Sequence, residues 1–183
     1  MKALIACEFS GIVRDAFLEL GYDAISCDLL PSERPGPHIQ KDIKDVNLAP
    51  YDMLIAFPPC TYLAVSGARW FKYRQQEQQE ALELVRFLLN APIHYIALEN
   101  PISIISTKIR KPDQIIQPWW FGHPETKATC LWLKNLPPLE ATNIVSGRNP
   151  RVHYESPSIN RWKNRSRTLT GIADAMAEQW GYR

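Results

Sequence analysis

Four short apolar runs, separated by segments of helical period, restrict the fold more than anything else in this chain. They are "KALIACEF" at 2–9, "YDAISCDLL" at 22–30, "YDMLIAF" at 51–57 and "HYIALENP" at 94–101. Between the first two, "GIVRDAFLELG" places Ile12, Val13, Ala16, Phe17 and Leu20 at helical spacing and stops at Gly21. Before the fourth, residues 74–90 form a helix that is polar at first and then amphipathic through Leu82, Val85, Leu88 and Leu89. Strands that are apolar along their whole length and alternate with helices predict an α/β fold, a mostly parallel sheet covered on both faces. The 183 residues suit one domain. Within it, 1–100 is a regular half, and 101–183 is a looser half with one strand, "ATCLWLK", and a closing helix through "GIADAMAEQWG".

Composition removes several classes of function. With 45% hydrophobic residues, 22% charged residues and a net charge of +2, the chain is neither disordered nor a strongly basic nucleic-acid-binding tail. No apolar run approaches the roughly 20 residues of a membrane span. The first apolar run is broken at Glu8, too early for a secretory signal, so a cytoplasmic, membrane-free protein is expected. Cys7, Cys27, Cys60 and Cys130 form no CxxC pair or Cys/His cluster, which predicts reduced thiols and no metal site. A monomer is the expected state. One stretch is locally basic: 148–167 carries Arg148, Arg151, Arg161, Lys163, Arg165 and Arg167 against the single acid Glu155, and is expected to meet nucleic acid.

Ligands of open α/β sheets bind beyond the carboxyl ends of the strands. The first strand ends at "EFSG", the second at Asp28, the third at Pro58, Pro59 and Cys60, and the fourth at Glu99, Asn100 and Pro101. Two prolines ahead of Cys60 would hold a thiol rigidly at the lip of the sheet. A thiolate there, with a carboxyl one βα unit later, is the pair that nucleophilic catalysis requires.

In this order the motifs resemble those of the cytosine-5 DNA methyltransferases. "FSG" at Phe9, Ser10 and Gly11 is similar to the opening of that family's cofactor motif, Asp28 to the acid after its second strand, and "KDI" at 41–43 to its Gly-Asp-Ile segment. "PPCTYLAVSG" resembles the nucleophile loop, "LENP" the Glu-Asn motif, and "FGHPETKAT" the Gly-x-Pro-Gln-x-Arg-x-Arg segment, with Glu125, Lys127 and Thr129 in place of Gln, Arg and Arg. Val13 and Arg14 stand where the family has further glycines, and Cys7 where it has aspartate, with Glu8 adjacent. Only about thirty residues, 135–165, occupy the place of the family's large target-recognition domain, as in small phage and prophage members, whose role would be to mark phage DNA.

The resemblance implies a Rossmann-like, S-adenosylmethionine-dependent methyltransferase fold and methyl transfer to carbon 5 of cytosine in DNA. Cys60 would be the nucleophile. Glu99 would hold the ring, Asn100 would position the loop and Lys127 would contact the base. Phe9, Ser10, Gly11, Asp28, Asp42 and Pro58 would form the cofactor site. Other readings stay open at this point. They are a free cytosine nucleotide or RNA as substrate, a different reaction at carbon 5 from the same adduct, and a non-catalytic nucleic-acid-binding relative. Asp28 and Asp42 also read as loop acids or helix caps, Lys127 as a surface lysine, and Trp119 and Trp120 as core or interface rather than base-stacking residues. His38, His94, His123 and His153 receive no role.

Overall fold

A computed structural model describes residues 1–181; residues 182 and 183 of the expected domain lie outside the described residues. One seven-stranded sheet organises the chain, in the spatial order β3-β2-β1-β4-β5-β7-β6. The parallel part comprises β1 (Lys2–Ala6), β2 (Asp23–Asp28), β3 (His38–Gln40), β4 (Met53–Ala56) and β5 (Tyr95–Pro101). Then β7 (Thr129–Lys134) runs antiparallel to β5, and β6 (Gln114–Ile116) antiparallel to β7. The expected mostly parallel sheet is present. The two three-residue strands, β3 and β6, were not anticipated.

Alternation along each buried strand divides the core in two. Ala3, Ile5, Met53, Ile55, Ala97 and Leu131 face one side, where α1 (Ile12–Glu19) and α5 (Thr170–Trp180) pack with Val13, Phe17, Ile172, Met176 and Trp180. Leu4, Ala6, Leu54, Ala56, Ile96, Leu98 and Trp132 face the other, where α2 (Gln75–Leu89) contributes Leu82, Val85 and Leu88 and the short α3 (Ile105–Lys108) contributes Ile105. Fully buried indoles also carry a polar N–H that needs an acceptor. Trp132 Nε1 donates to the Arg110 carbonyl at 2.8 Å and Trp180 Nε1 to the Pro137 carbonyl at 3.0 Å.

Strand order reverses between β1 and β4, the place where a doubly wound sheet opens its ligand crevice. The loop after β2 is fastened beside that crevice by Arg14. This side chain is 0% exposed, although helix residues of its type rarely leave solvent. Its guanidinium donates to Asp15 Oδ1 at 2.8 Å, to the hydroxyls of Ser26 and Ser32 at 3.2 and 3.0 Å, and to the Pro35 carbonyl at 2.9 Å. Space for it depends on two glycines. Gly11 turns the chain into α1 at φ 74°, and a Cβ there would lie 2.5 Å from Arg14 Nη2; Gly36, at φ 139°, would place one 2.9 Å from Arg14 Cζ. Where the family resemblance has a cofactor-loop glycine, this chain has an internal pin.

Truncation of one partner in a buried charged network leaves the others unpaired. Arg14→Leu is therefore expected to lower stability by about 3–5 kcal/mol in chemical denaturation, and Ser32→Ala, which removes one exchangeable hydroxyl partner, by about 1 kcal/mol.

Candidate functional site

Parallel pairing of β4 with β5 brings Ala56 opposite Leu98. Continued one step beyond the strand ends, the same register sets the thiol loop beside Glu99 and Asn100. The buried Asn100 Nδ2 donates to the Pro58 carbonyl at 2.9 Å and so ties the Pro-Pro-Cys turn to the next strand. Proline 58 offers no N–H and a fixed φ, which leaves its carbonyl as the natural acceptor. The turn is closed locally by the amides of Leu63 and Ala64, which both donate to the Cys60 carbonyl, at 3.0 and 2.9 Å. It is held a second time against the segment after β5: Val65 N donates to Ile102 O at 3.1 Å and Ile104 N to Leu63 O at 3.0 Å.

Four charged or titratable groups meet here. Burial pushes the Cys60 thiol above its ordinary value and the neighbouring Glu99 carboxylate adds to this, while Lys127 and Arg165 pull it down. Burial also raises Glu99, opposed by Lys127 and by a hydrogen bond to Thr129. The Thr129 hydroxyl donates to the Lys127 carbonyl at 3.0 Å and lies within hydrogen-bonding reach of Glu99, so it joins Glu99 to the Lys127 segment. The structure therefore brings Cys60, Glu99, Asn100 and Lys127 together with Arg165. Nothing in sequence spacing singled out Arg165 from the other cations of its segment.

At the end of β1 the turn is built around a buried acid. Glu8 is 4% exposed. Its Oε1 accepts from the Ser10 hydroxyl at 2.8 Å and from the Val13 amide at 3.1 Å, and the Arg14 amide also reaches the carboxyl. Burial pushes Glu8 up from the ordinary carboxylate range. Ser10 Oγ accepts from the Ile12 amide at 3.3 Å, so the first N–H groups of α1 are all satisfied from within the chain. A pyrophosphate would need those groups free. Glu8 Oε2 has no hydrogen-bond partner among the described residues, and the residue lines a small cavity with Cys7, Phe9, Phe57, Arg167 and Thr168.

The remaining expected cofactor residues are distributed around this cavity rather than all within it. Phe9 and Ser10 line it, and Gly11 makes the turn. Asp28 sits at the carboxyl end of β2, half-buried and raised by that burial, with Oδ1 accepting from the Leu30 amide at 2.9 Å. Asp42 is exposed and caps the 3₁₀ turn Ile43–Asp45 by accepting from the Lys44 amide at 2.9 Å. Its observed work is the helix cap. Trp119 and Trp120 stack edge to face at 5.7 Å, and Trp120 packs against the core.

The basic segment is not a free solvated run. Arg151 pairs with Glu125 at 2.7 Å, Arg161 donates to the Glu155 carbonyl at 2.6 Å, and Arg148 lies 3.8 Å over the Trp119 ring. Arg167 makes a two-pronged pair with Glu33, both contacts at 2.8 Å. The helix α4 (Arg161–Ser166) thereby lies across the end of β1, with Trp162 packed on Phe9 at 5.8 Å and Lys163 Nζ 5.7 Å from the same ring. Arg165, on that helix, keeps a buried Nε with no hydrogen-bond partner among the described residues. A cavity of about 430 Å³, lined by Lys127, His123, Arg151, Asn164, Arg167 and Thr168 among others, adjoins the site and matches the size of a small-molecule pocket. Among the described residues there is no group of three or more metal-ligating side chains, and no helix is long and apolar enough to cross a membrane.

No protein-family model and no curated protein matches the sequence. Among solved structures the chain is similar to an E. coli protein that carries the provisional description of a DNA modification methyltransferase encoded within a prophage. The two share 16% identity at a TM-score of 0.47, over 87% of this chain and 56% of that one. This chain thus spans little more than half the length of that protein, and the function of the site rests on its own geometry.

The charges around Cys60 make opposite predictions for two substitutions. Removing the Glu99 charge lowers the Cys60 pKa, so Glu99→Gln is expected to speed alkylation of Cys60 by iodoacetamide near neutral pH. Arg165→Gln removes a stabilising cation and is expected to slow it, moving the alkylation profile to higher pH. Peptide mapping of alkylated Cys60 across a pH series reads both shifts; movement of both profiles in one direction would contradict this arrangement.

Proposed function

We propose that this chain is a Rossmann-like S-adenosylmethionine-dependent methyltransferase that modifies carbon 5 of cytosine in DNA through a covalent adduct on Cys60. The observation that carries this reading is the meeting of Cys60 and Glu99 at adjacent strand ends, tied by Asn100 and surrounded by Lys127 and Arg165. A thiol and a largely buried carboxyl in hydrogen-bonding reach of one planar base supply both halves of the chemistry that an unreactive pyrimidine carbon needs.

The Cys60 thiolate adds to carbon 6, forming an S–C bond and turning carbon 5 into a nucleophilic enamine carbon. Glu99, whose protonated form burial favours, donates to ring nitrogen 3 and stabilises the charge that moves onto the ring. S-adenosylmethionine, when bound, supplies the methyl group. Loss of the carbon 5 proton to solvent water, return of the nitrogen 3 proton to Glu99 and breakage of the S–C bond then restore the aromatic ring and the thiolate. Asn100 acts through Pro58, fixing the loop that aims the sulfur.

The crevice beyond β1 suits that donor better than a dinucleotide. Its helix N-terminus is already occupied by Glu8 and Ser10, which disfavours phosphate. The Glu8 carboxyl, with its unpartnered Oε2 buried behind the crevice, would instead add negative potential suited to a sulfonium and an amino group. Phe9 would border the donor, and Asp28, 17 residues after the glycine turn, is placed to accept ribose hydroxyls. Substrate phosphates would meet Lys163 and Arg165 on α4.

DNA containing 5-fluorocytosine tests the reading, because fluorine at carbon 5 blocks the final elimination. With S-adenosylmethionine present, intact mass is expected to show the protein joined to the strand with one added methyl group. Cys60→Ser is expected to abolish the adduct, and Glu99→Gln to slow its formation by about 10²–10³-fold. Absence of any adduct while S-adenosylmethionine still binds would overturn the proposed substrate.

A further inference from the structure

The chain leaves the Cys60 turn through a nine-residue 3₁₀ segment, Val65–Tyr73, with the sequence "VSGARWFKY". Long 3₁₀ runs are uncommon because their side chains eclipse and their hydrogen bonds are poorly aligned. None of its residues is buried, and the largest are among the most exposed apolar side chains of the protein: Trp70 at 56% and Tyr73 at 66%. A fold that places its other tryptophans wholly or partly inside, apart from Trp162, has left these rings outside.

Their neighbours are cations. The Arg69 guanidinium lies 5.2 Å from the centroid of the Trp70 ring, and Lys72 Nζ lies 4.6 Å from that of Tyr73. Between Asp52 and Glu77 the sequence contains no acid, and among the described residues Arg74 pairs with Glu77 at 2.7 Å while Arg69 and Lys72 form no ion pair. Exposed ring faces alternating with uncommitted cations is the arrangement that single-stranded nucleic acid recognises: bases stack on the rings and phosphates meet the cations. A protein partner or an apolar ligand would not require the cations. A closed duplex would not offer the base faces.

We infer that Val65–Tyr73 is a binding strip for an unpaired nucleic-acid strand, with Trp70 and Tyr73 as stacking platforms and Arg69 and Lys72 as phosphate contacts. The inference rests on the proposed nucleic-acid substrate only for its biological use. The strip begins five residues after Cys60, and the turn between them is fastened by the Leu63 and Ala64 amides. A strand stacked here is delivered beside the thiol without the cost of opening a duplex. A chain with only residues 135–160 between β7 and α4 has little surface for reading a duplex groove.

Fluorescence anisotropy of the full chain with a labelled oligothymidine separates this inference from the cytosine chemistry, since the probe has no cytosine. The expected result is binding to the single strand that is at least tenfold tighter than to a duplex of equal length. Trp70→Ala and Tyr73→Ala are each expected to weaken it by roughly 5- to 100-fold, with Trp70→Phe close to wild type. Arg69→Gln and Lys72→Gln are each expected to reduce the slope of log affinity against log salt by about 0.7. Unchanged melting temperatures establish that these exposed variants fold. Equal affinity for single strand and duplex, no binding of the probe, or indifference to the loss of both rings would overturn the inference. An adduct on 5-fluorocytosine DNA alongside those results would leave the methyl-transfer reading standing; strand binding without any adduct would do the reverse.

Discussion

The hydrogen bond from Asn100 to the Pro58 carbonyl is the constraint on which the rest of the site depends. Parallel strands β4 and β5 lie about 4.8 Å apart, a spacing that brings their first loop residues within reach of each other but does not orient them. An asparagine side chain, buried and donating across the gap, converts proximity into a fixed angle. Its own Oδ1 has no hydrogen-bond partner among the described residues, so the site spends buried polar capacity to hold this one contact. Positions of Cys60, Glu99 and the strip that follows Leu63 all descend from it.

A second set of contacts joins distant parts of the sequence over the end of β1. Arg167 reaches Glu33, 134 residues earlier, and Trp162 reaches Phe9. Glu33 belongs to the loop that Arg14 pins, and its amide donates to the Phe9 carbonyl at 2.8 Å. The three devices form one structure: an internal guanidinium sets the loop, the loop presents an acid, and the acid fastens α4 across the crevice. Because the Arg167–Glu33 pair is about one-third exposed on each side, it is a modest and salt-sensitive fastening rather than a permanent one.

How much of this was legible in the sequence depended on length and on local pattern. β1, β2, β4 and β5 announce themselves as apolar runs because the parallel sheet buries both their faces, and α2 because fifteen residues are enough to display a helical period. β3 and β6 have three residues each, too few for any period, and exist because neighbouring strands present unpaired edges for them to join. The chemistry-bearing residues at strand ends were visible as types and order. Partnerships set by tertiary folding were not: Arg14 looks like a lost glycine until its six-way burial is seen, and a segment rich in arginine looks solvated until Glu33, Glu125 and the Glu155 carbonyl are found beneath it. The strip at 65–73 carried a readable signal, aromatics interleaved with cations and free of acids, which the stronger motif just before it overshadowed.

The electrostatics of the site also explain why its nucleophile would rest in an inactive form. Burial and the Glu99 carboxylate charge both favour the protonated Cys60 thiol, and burial also shifts Glu99 toward its protonated form. Neutral groups are the less costly occupants of a half-buried cleft, and an idle thiol is protected from oxidation. Lys127 biases both groups toward their charged forms, and Arg165 the thiol, without overcoming burial. A base that accepts a hydrogen bond from Glu99 would hold that carboxyl in its protonated form, removing the opposing charge from the thiol's surroundings and leaving the two cations to act on it. On the proposed reading, substrate binding itself therefore tips the balance toward thiolate, and the cleft becomes reactive only when there is a ring for the sulfur to attack.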